Sequence, residues 1–349
     1  MKAIVLVGGE GTRLRPLTET VPKPLLPVMD RRFLDHVLDH LARHGIDEVV
    51  LSSPYLEETF RPFVSARTEA AAPPAIRWIT EAEPLGTGGA IVNALDHLGG
   101  VSDAMRKGDA DAVLALNGDI LTDLDLTALL AFHRERRSSA TISLTHVEDA
   151  RPFGLVPTDA EGRVIEFQEK PADPVPGDVN AGTYVLDPSV LSGFARGEAL
   201  SIERQIFPAV IADGRPVFGF GSSAYWMDLG TPEKYLQGHF DIFESRVGGL
   251  DYPAPWVHAS ASVDLLAHLG RWVAVGAGAA IAEDAQIEDS VLHPGVRIGR
   301  GARIAGSIVG GGVRVGDGAT VLDSVLGRGA EVASGATLEG ARVSGSEPR

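Results

Sequence analysis

The sequence of 349 residues contains no cysteine, so disulfide bonds and thiolate chemistry are excluded. It also lacks an excess of positive charge, and its formal net charge of -16 argues against a surface built for nucleic acid or anionic membranes. No apolar run reaches membrane-spanning length, and the apolar run at the N-terminus is too short for a signal peptide. We therefore expect a cytoplasmic protein that binds any polyanion locally.

What the sequence does contain falls into two patterns, the first of which extends to residue 247. Short Val- and Ile-rich runs such as "KAIVLV", "DEVVLSS" and "AVLALNGD" alternate with amphipathic stretches such as "FLDHVLDHLARHG". In that stretch apolar residues recur at helical spacing, and Gly45 stands where a C-terminal cap belongs. The alternation predicts an α/β domain over residues 1–247, with a doubly wound, mostly parallel, Rossmann-like sheet.

The second pattern covers residues 257–349 and follows a Gly- and Pro-rich linker at 248–256. Its apolar positions repeat every 17 residues, in steps of five or six, with Gly or Ala between them. Strands of ordinary hairpins would instead alternate with period two. The pattern predicts a three-sided parallel β-helix of hexapeptide repeats. The inward positions are Ile281, Ile287, Leu292, Ile298, Ile304, Val309, Val315, Val321, Leu326, Val332, Leu338 and Val343.

A Gly- and Pro-rich loop, "VLVGGEGTRLRPLTETVPKPLLP" at residues 5–27, begins within the first predicted strand. Glycines at that point place backbone N–H groups at the carboxyl end of the strand, where open α/β sheets bind ligands. Arg13, Arg15 and Lys23 add cations that suit a nucleoside triphosphate. The loop therefore predicts a local binding site for polyphosphate.

This loop resembles the signature of the sugar-1-phosphate nucleotidylyltransferases, the NDP-sugar pyrophosphorylases. The resemblance continues in the family's order through "EPLGTGGA", "LNGD", "FQEKP", "NAGTYVL", "SIERQIFP" and "WMDLGTPEKYL". The β-helix that follows is similar to the left-handed β-helix of the branch that includes mannose-1-phosphate guanylyltransferases. One departure is "GTGGA", where "GTAGA" is more usual in the family.

The resemblance implies roles for four charged residues. Arg13 and Lys23 would be the catalytic cations on the phosphates, and Asp119 and Asp228 would be the ligands of Mg²⁺. Attack of a sugar phosphate on the α-phosphorus joins two anions, so such a site must neutralise charge. An Asp that follows a strand is often only a turn residue. The presence of a second acid is what favours a metal site over that interpretation.

The resemblance also implies two sets of binding residues. The nucleotide would lie on Gly8, Gly9, Gly11, Thr12, Glu81, Gly86 and Thr87, and the sugar phosphate on Gly154, Glu169, Lys170, Asn180 and Gly182. Glu81 has two interpretations. Its carboxylate would accept the paired donors of guanine, or it is a solvated loop acid and the backbone of residues 85–88 reads the base.

The expected reaction is Mg²⁺-dependent transfer of a nucleotidyl group from GTP to mannose 1-phosphate, which gives an NDP-sugar and pyrophosphate. "PKP" and "PLGTGG" are closer to guanylyl than to thymidylyl enzymes. Three alternatives stay open. The substrate could be a heptose or cyclitol 1-phosphate, or the protein could be a glucose-1-phosphate thymidylyl- or uridylyltransferase, or an acetyltransferase-uridylyltransferase. A non-catalytic nucleotide-sugar-binding regulator is a further class, but it would be expected to have lost some of Arg13, Lys23, Asp119 and Asp228.

Two further expectations concern structure and assembly. His36, His40 and His44 recur every four residues and predict a solvated or interface face of one helix, while Thr231 predicts a helix N-cap. The partners are expected to be small-molecule substrates, with no nucleic acid and no membrane. The β-helix is expected to support a homo-oligomer and stability rather than chemistry.

Overall fold

The computed structural model describes residues 1–53, 57–98, 112–169 and 173–345, and the chain forms two compact units. The first comprises Met1–Gly9 and Val37–Trp226, and the second comprises Glu10–His36 and Met227–Arg349. The opening loop thus belongs to the same unit as the C-terminal part, which a division at 248–256 does not anticipate. Within the four described ranges, no helix combines the length and the apolar character needed to cross a bilayer.

Among the residues described, thirteen strands precede the last helix. They are β1 (Lys2–Leu6), β2 (Pro27–Val28), β3 (Arg31–Arg32), β4 (Glu48–Ser53), β5 (Ala75–Thr80), β6 (Val113–Asn117), β7 (Ile120–Thr122), β8 (Ala140–Val147), β9 (Gly154–Leu155), β10 (Gln168–Glu169), β11 (Gly177–Leu186), β12 (Val217–Gly221) and β13 (Trp226–Asp228). The α-helices are α1 (Phe33–Arg43), α2 (Glu57–Glu69), α3 (Gly86–Ala94), α4 (Leu126–Glu135), α5 (Phe207–Ala212) and α6 (Pro232–Phe243). Shorter helical turns cover Thr12–Leu14, Lys23–Leu25, Leu95–His97, Pro188–Leu191 and Ile202–Ile206.

The first unit is built on one nine-stranded sheet. Its main path runs β10-β9-β11-β6-β1-β4-β5, with β8 beside β11 and β12 beside β8. The pairs of β1 with β4 and β6, of β4 with β5 and of β8 with β12 are parallel, which confirms the doubly wound sheet. Strand β11 runs antiparallel to β6 and β8, a reversal that the sequence pattern does not reveal. The sheet's core includes the fully buried Ile4, Val50, Ala115 and Tyr184.

Helix α1 ends as predicted, but its histidines do not lie where the sequence places them. Gly45 adopts φ of 75°, and the Ile46 N–H closes the helix end on the Leu41 carbonyl. His36 and His40 are 5% and 7% exposed, so the expectation of a solvated face is wrong for these two, whereas His44 is partly exposed. Regular spacing alone did not distinguish a polar face from a buried one.

The second unit contains a parallel β-helix of three sheets. Its strands are β14 (Trp256–Val257), β15 (Ser262–Val263), β16 (His268–Leu269), β17 (Val273–Val275), β18 (Ala280–Ile281), β19 (Gln286–Glu288), β20 (Ser290–Leu292), β21 (Arg297–Ile298), β22 (Arg303–Ala305), β23 (Ile308–Val309), β24 (Arg314–Val315), β25 (Thr320–Leu322), β26 (Val325–Leu326), β27 (Glu331–Val332), β28 (Thr337–Glu339) and β29 (Arg342–Val343). Each strand from β14 to β26 pairs with the strand three later in sequence, as in the left-handed β-helix predicted above.

The predicted 17-residue period is confirmed by the strand register. Ile281 pairs with Ile298, which pairs with Val315, and the inward residues from Ile281 to Val332 are at most 6% exposed. Leu338 and Val343 are only partly buried, because they belong to the last coil. Burial of one branched apolar side chain per face is the main stabilising contribution in such a coil.

A ladder of buried serines runs along the β-helix and was not predicted. Ser290, Ser307 and Ser324 are spaced 17 residues apart, and each is at most 1% exposed. The Oγ of each accepts the N–H of the residue one coil later, at 2.9 to 3.1 Å, ending at Ala341. Each hydroxyl also donates to the carbonyl two residues before it. The ladder therefore satisfies backbone groups where one face turns into the next.

Replacing the middle serine tests this interpretation. Ser307→Ala removes the acceptor of the Ser324 N–H and the donor to the Ala305 carbonyl. We expect the free energy of unfolding to fall by about 1–3 kcal/mol, because two buried polar groups lose a partner. Denaturant titration measures the loss, and Ser334→Ala at an exposed position of the same β-helix is the control. Equal stability of the two variants would contradict the role assigned to the ladder.

Candidate active site

The second unit holds the opening loop in a defined shape. Gly11 has φ of 61°, a conformation that residues with a side chain rarely adopt. The Thr18 hydroxyl donates to the Gly11 carbonyl at 2.7 Å, which closes the loop on itself. The helical turn Thr12–Leu14 follows and carries Arg13. Gly11 and Thr12, both predicted to bind nucleotide, are thus part of a closed turn.

Lys23 is buried, unlike an ordinary surface lysine. It begins the turn Lys23–Leu25, and the prolines on either side restrict its backbone. The residue is 6% exposed, and its Nζ lies 2.9 Å from Oδ1 of Asp228. Lysine is seldom buried without a partner, so Asp228 fixes where this cation points.

Arg13 shares the same carboxylate. Its Nη2 lies 3.4 Å from Oδ2 of Asp228, while its side chain is 66% exposed. Gly230 makes room for the pair, because a Cβ there would lie 2.6 Å from the Arg13 guanidinium and 2.8 Å from the Asp228 carboxylate. One carboxylate thus holds both predicted catalytic cations, one on each oxygen.

The electrostatics of Asp228 favour the ionised form. Burial opposes ionisation, but the charge and the hydrogen bond of Lys23 outweigh it, with further help from Lys234 and Arg13, and hold the carboxyl pKa below its ordinary value. The side chain is 17% exposed. Asp228 therefore presents a negative charge at neutral pH in a largely desolvated place.

In the first unit, the carboxyl ends of two neighbouring strands meet. Gly8 and Gly9 follow β1, and Asp119 follows β6, which pairs parallel with β1. The Gly118 N–H donates to the Leu6 carbonyl at 2.8 Å, which fastens the two strand ends together. Gly9 is exposed, and the space around its α-carbon is open. This is the edge at which sheets of this class bind ligands.

Asn180 and Gly182 form a bulge in β11. The strand's register shifts between Asn180 and Tyr184, and Gly182 has φ of 75°. The Gly182 N–H donates to the Asn180 side-chain oxygen at 2.9 Å, and the Asn180 amide donates to the Tyr184 hydroxyl at 2.7 Å. A Cβ at position 182 would lie 2.8 Å from the Asn117 amide nitrogen. Asn180 therefore shapes the bulge as well as facing a cavity.

That cavity, of about 360 Å³, lies within the first unit. Three of the residues predicted to bind substrate line it. Thr87, predicted for the nucleotide, lines it together with Gly154 and Asn180, predicted for the sugar phosphate. Gly182, also predicted for the sugar phosphate, is not among the described residues that line it. The other lining residues are Phe153, Ser201, Glu203 and Arg204.

Glu203 is the residue that sequence reasoning missed. Its Oε2 accepts from the Thr87 hydroxyl at 2.8 Å and from the Ser201 hydroxyl at 2.7 Å. Its Oε1 lies 3.4 Å from the Tyr184 hydroxyl. The available signal was the motif "SIERQIFP", which supports the family resemblance but offered no role for its acid. Glu203 adds a carboxylate to the wall of this cavity.

The glycines of "GTGGA" allow helix α3 to begin against another backbone segment. The N–H groups of Gly88 and Gly89 both donate to the Leu200 carbonyl, at 2.8 and 3.1 Å. Gly86 has φ of 67°, and a Cβ there would lie 2.7 Å from that same carbonyl oxygen. At position 88, where "GTAGA" would place alanine, a Cβ would lie 2.9 Å from the Ile202 nitrogen. The departure from the usual motif thus has a steric cause in this chain.

Glu81 is buried, so the interpretation as a solvated loop acid is wrong. The residue is 4% exposed, and it accepts from the Ser52 hydroxyl at 2.8 Å and from the Leu85 N–H at 3.0 Å. One carboxylate oxygen is used in each bond. Glu81 therefore braces the turn that leads into the glycines of α3, whichever group reads the base.

The remaining sugar-phosphate candidates lie in and beside β10. Glu169 pairs with Gly154 in the antiparallel pair of β10 and β9, so the backbones of these two predicted residues are adjacent. Lys170 lies outside the described residues. Its role stays a prediction.

The two acids predicted to bind metal are found in different units, Asp119 in the first and Asp228 in the second. In the part of the chain that the structure describes, no cluster of three or more His, Asp or Glu side chains could hold a metal ion. Mg²⁺, however, is usually held by one or two carboxylates together with substrate phosphates. Each of the two acids offers a hard carboxylate oxygen of the kind that Mg²⁺ prefers, and their joint role stays a prediction.

Comparison with known proteins accounts for this set of features. Residues 2–245 match the nucleotidyl transferase family, and residues 252–347 match the GMPPB C-terminal domain. This chain belongs to the nucleotidyl transferase family. As such it is an enzyme that makes an NDP-sugar from a sugar 1-phosphate, and enzymes of this family generally use a divalent metal ion.

Two curated relatives cover most of this nucleotidyl transferase. A mannose-1-phosphate guanylyltransferase from Mycobacterium tuberculosis is 40% identical over 305 residues, which cover 84% of this chain and 80% of the relative. A probable mannose-1-phosphate guanylyltransferase from Arabidopsis thaliana is 34% identical and covers 83% of this chain, or 79% of its own length. The similarity to each of these two relatives therefore extends over more than four fifths of this chain.

Solved structures share the fold. HddC from Yersinia pseudotuberculosis, crystallised in complex with GMP-PN, matches this nucleotidyl transferase with a TM-score of 0.56 and 27% identity, over 68% of this chain and 96% of that one. A crystal structure from Bacillus anthracis has a TM-score of 0.59 at 23% identity, over 68% of this chain and 93% of that one, and supports the fold alone.

The tight contact at Gly88 gives a prediction. A methyl group in Gly88→Ala would lie 2.7 Å from Ile206 Cδ1 and 2.9 Å from the Ile202 backbone, so the segment that carries Glu203 must move. We expect the free energy of unfolding to fall by about 1–3 kcal/mol, as in an overpacked core, and turnover to fall as well. Gly193→Ala is the control, because nothing lies within 4 Å of a Cβ there. If both variants behave like the wild type, the steric account of "GTGGA" is wrong.

Proposed function

We propose that this nucleotidyl transferase is a Mg²⁺-dependent guanylyltransferase that joins GTP and mannose 1-phosphate to give GDP-mannose and pyrophosphate. The observation that carries the proposal is 40% identity over 84% of the chain to a relative named for this reaction. In the reaction an oxygen of the sugar phosphate bonds to the α-phosphorus. The bond from that phosphorus to the bridging oxygen of the β-phosphate breaks, and pyrophosphate leaves.

On the nucleotide side, we assign charge neutralisation to the pair of cations held by Asp228. Arg13 is largely exposed, so its guanidinium is accessible to phosphate oxygens, while Lys23 is buried and fixed. Gly8, Gly9, Gly11 and Thr12 would offer backbone N–H groups to the triphosphate. A site with these donors in place needs little reorganisation when negative charge builds up on the leaving pyrophosphate.

Guanine is the proposed base, and the backbone of the turn into α3 is the proposed reader. GMP-PN is the nucleotide in the complex of the related HddC protein. Glu81 uses both carboxylate oxygens to hold Ser52 and the Leu85 N–H, which favours readout of the base by the backbone of residues 85–88, with Glu81 itself buried rather than solvated. Glu81 is then a positioning residue, because its hydrogen bond to the Leu85 N–H fixes the turn that leads to Gly86 and Thr87.

On the sugar side, we assign the sugar phosphate to the cavity lined by Thr87, Gly154, Asn180 and Glu203. Hydroxyl, amide and carboxylate groups that already hydrogen-bond one another can accept and donate to sugar hydroxyls at fixed angles. A site built on such pairs rejects a sugar that leaves one of them unpaired. Arg204 at the cavity wall is a candidate cation for the phosphate, in addition to Lys170, which lies outside the described residues.

The metal ion fits the same proposal. Asp119 and Asp228 would hold Mg²⁺, which supplies Lewis-acid charge neutralisation on the phosphates when it is bound. Asp228 keeps its carboxylate ionised for this purpose even though it is largely buried. A cytoplasmic location and a homo-oligomeric state also remain part of the proposal.

Pyrophosphate release across a matrix of substrates tests the proposal. GTP, dTTP, UTP and ATP are each combined with mannose 1-phosphate, glucose 1-phosphate, a heptose 1-phosphate and a cyclitol phosphate, with and without Mg²⁺. We expect the largest kcat/KM for GTP with mannose 1-phosphate, and no turnover without a divalent ion. Lys23→Met is the control for background activity, because it removes the buried cation.

The same matrix separates the alternatives. A preference for dTTP or UTP overturns the guanylyl assignment, and a preference for another phosphate overturns mannose 1-phosphate. Binding of a nucleotide sugar without turnover of any pair would instead indicate a regulatory protein.

A further inference from the structure

The last coil of the β-helix touches the signature loop, and both belong to the second unit. Nη1 of Arg342 donates to the backbone carbonyls of Arg13 and Arg15, at 3.0 and 3.2 Å. The Ser344 hydroxyl donates to the Glu19 carboxylate at 2.9 Å. Residues more than three hundred positions apart in sequence are therefore joined by three hydrogen bonds.

The contact reaches the part of the loop that carries the exposed catalytic cation. Inside the turn, backbone N–H groups bond to the carbonyls of Gly11, Thr12 and Leu14. Arg342 bonds to the Arg13 and Arg15 carbonyls, which alternate with these along the chain. The hydrogen bonds within the turn and those from Arg342 thus engage successive backbone carbonyls of the same short segment.

A second contact supports the first one. Gly327, in the coil below Arg342, lies against Pro16, since a Cβ on Gly327 would approach Pro16 Cβ to 3.0 Å. Gly327 also donates its N–H to the Val343 carbonyl, within the ladder between β26 and β29. The surface under the loop is therefore backbone of the β-helix, which is rigid, and Arg342 projects from it.

We propose that Arg342 is a positioning residue for nucleotidyl transfer: it holds the signature loop so that Arg13 reaches the phosphates from a fixed backbone. An arginine suits this task, because one guanidinium nitrogen carries two N–H groups and keeps its charge at all pH values of interest. The β-helix then contributes to the active site, beyond the assembly and stability expected from sequence. The proposal rests on nucleotidyl transfer at this loop, whichever base and sugar are used.

Hydrogen exchange and kinetics of full-length variants test the proposal. In Arg342→Ala, we expect faster amide exchange in residues 10–20 and unchanged exchange in the β-helix. We also expect kcat/KM for the nucleotide to fall about ten- to a hundredfold, as when a catalytic group is displaced by about an ångström. The KM for the sugar phosphate should not change, and Arg342→Lys should recover part of the loss.

Arg314→Ala is the matched control. Arg314 is an exposed arginine of the same β-helix that pairs with Glu331 at 3.4 Å, and it has no role in the proposed site. It should leave both exchange and kinetics at wild-type values. Equal losses in the two variants would assign the effect to charge or stability in general and overturn the proposal.

Two more outcomes would overturn it. Exchange in residues 10–20 that does not change in Arg342→Ala would show that the contact does not hold the loop. Faster exchange with unchanged kinetics would show that the loop does not need to be held.

If the wild type prefers a substrate pair other than GTP and mannose 1-phosphate, the proposed function fails. The exchange result still stands in that case, and the kinetics are measured with the preferred pair.

Discussion

The interaction on which the site depends is the sharing of one carboxylate by two cations. Asp228 lies at the end of β13, and its oxygens hold a buried Lys23 and an exposed Arg13. Removing Lys23 or Asp228 would take the ion-pair partner at 2.9 Å from the other, largely buried charge, which is more costly than losing a surface pair. Gly230 and the prolines around Lys23 serve this arrangement, since each fixes or clears space for one of the three side chains. The loop, the strand end and the start of α6 are organised around it.

Local and periodic features of the fold could be predicted from sequence. The 17-residue period gave the β-helix and its inward residues, because a coil of fixed length must place one side chain per face. Gly45 and Thr231 were recognisable as helix caps from residue type and position alone, and the Lys234 N–H does bond to the Thr231 hydroxyl. Sequence pattern did not reveal the reversed β11 or the buried His36 and His40, because both depend on tertiary packing.

The candidate site could be predicted only in part. Residues in glycine-rich and charged motifs were found, but Glu203 was not, because its role comes from a cavity that it lines together with Thr87 and from its contact with the Tyr184 hydroxyl. Arg342 was not found for a similar reason, since its partners lie at the other end of the chain. The serine ladder was not recognised in the sequence, because its serines stand among the other small residues of the repeat. Contacts between distant segments leave little trace in a single sequence.

A double-mutant cycle between Lys23 and Asp228 tests the central claim most directly. Lys23→Met, Asp228→Asn and the double variant are compared with the wild type by the free energy of unfolding in denaturant. If each charge stabilises the other, the cycle should show a coupling energy of about 1–3 kcal/mol, because the second substitution costs less once the first has removed its partner. Effects that add to within about 0.3 kcal/mol would show that Asp228 does not hold Lys23, and would contradict the account.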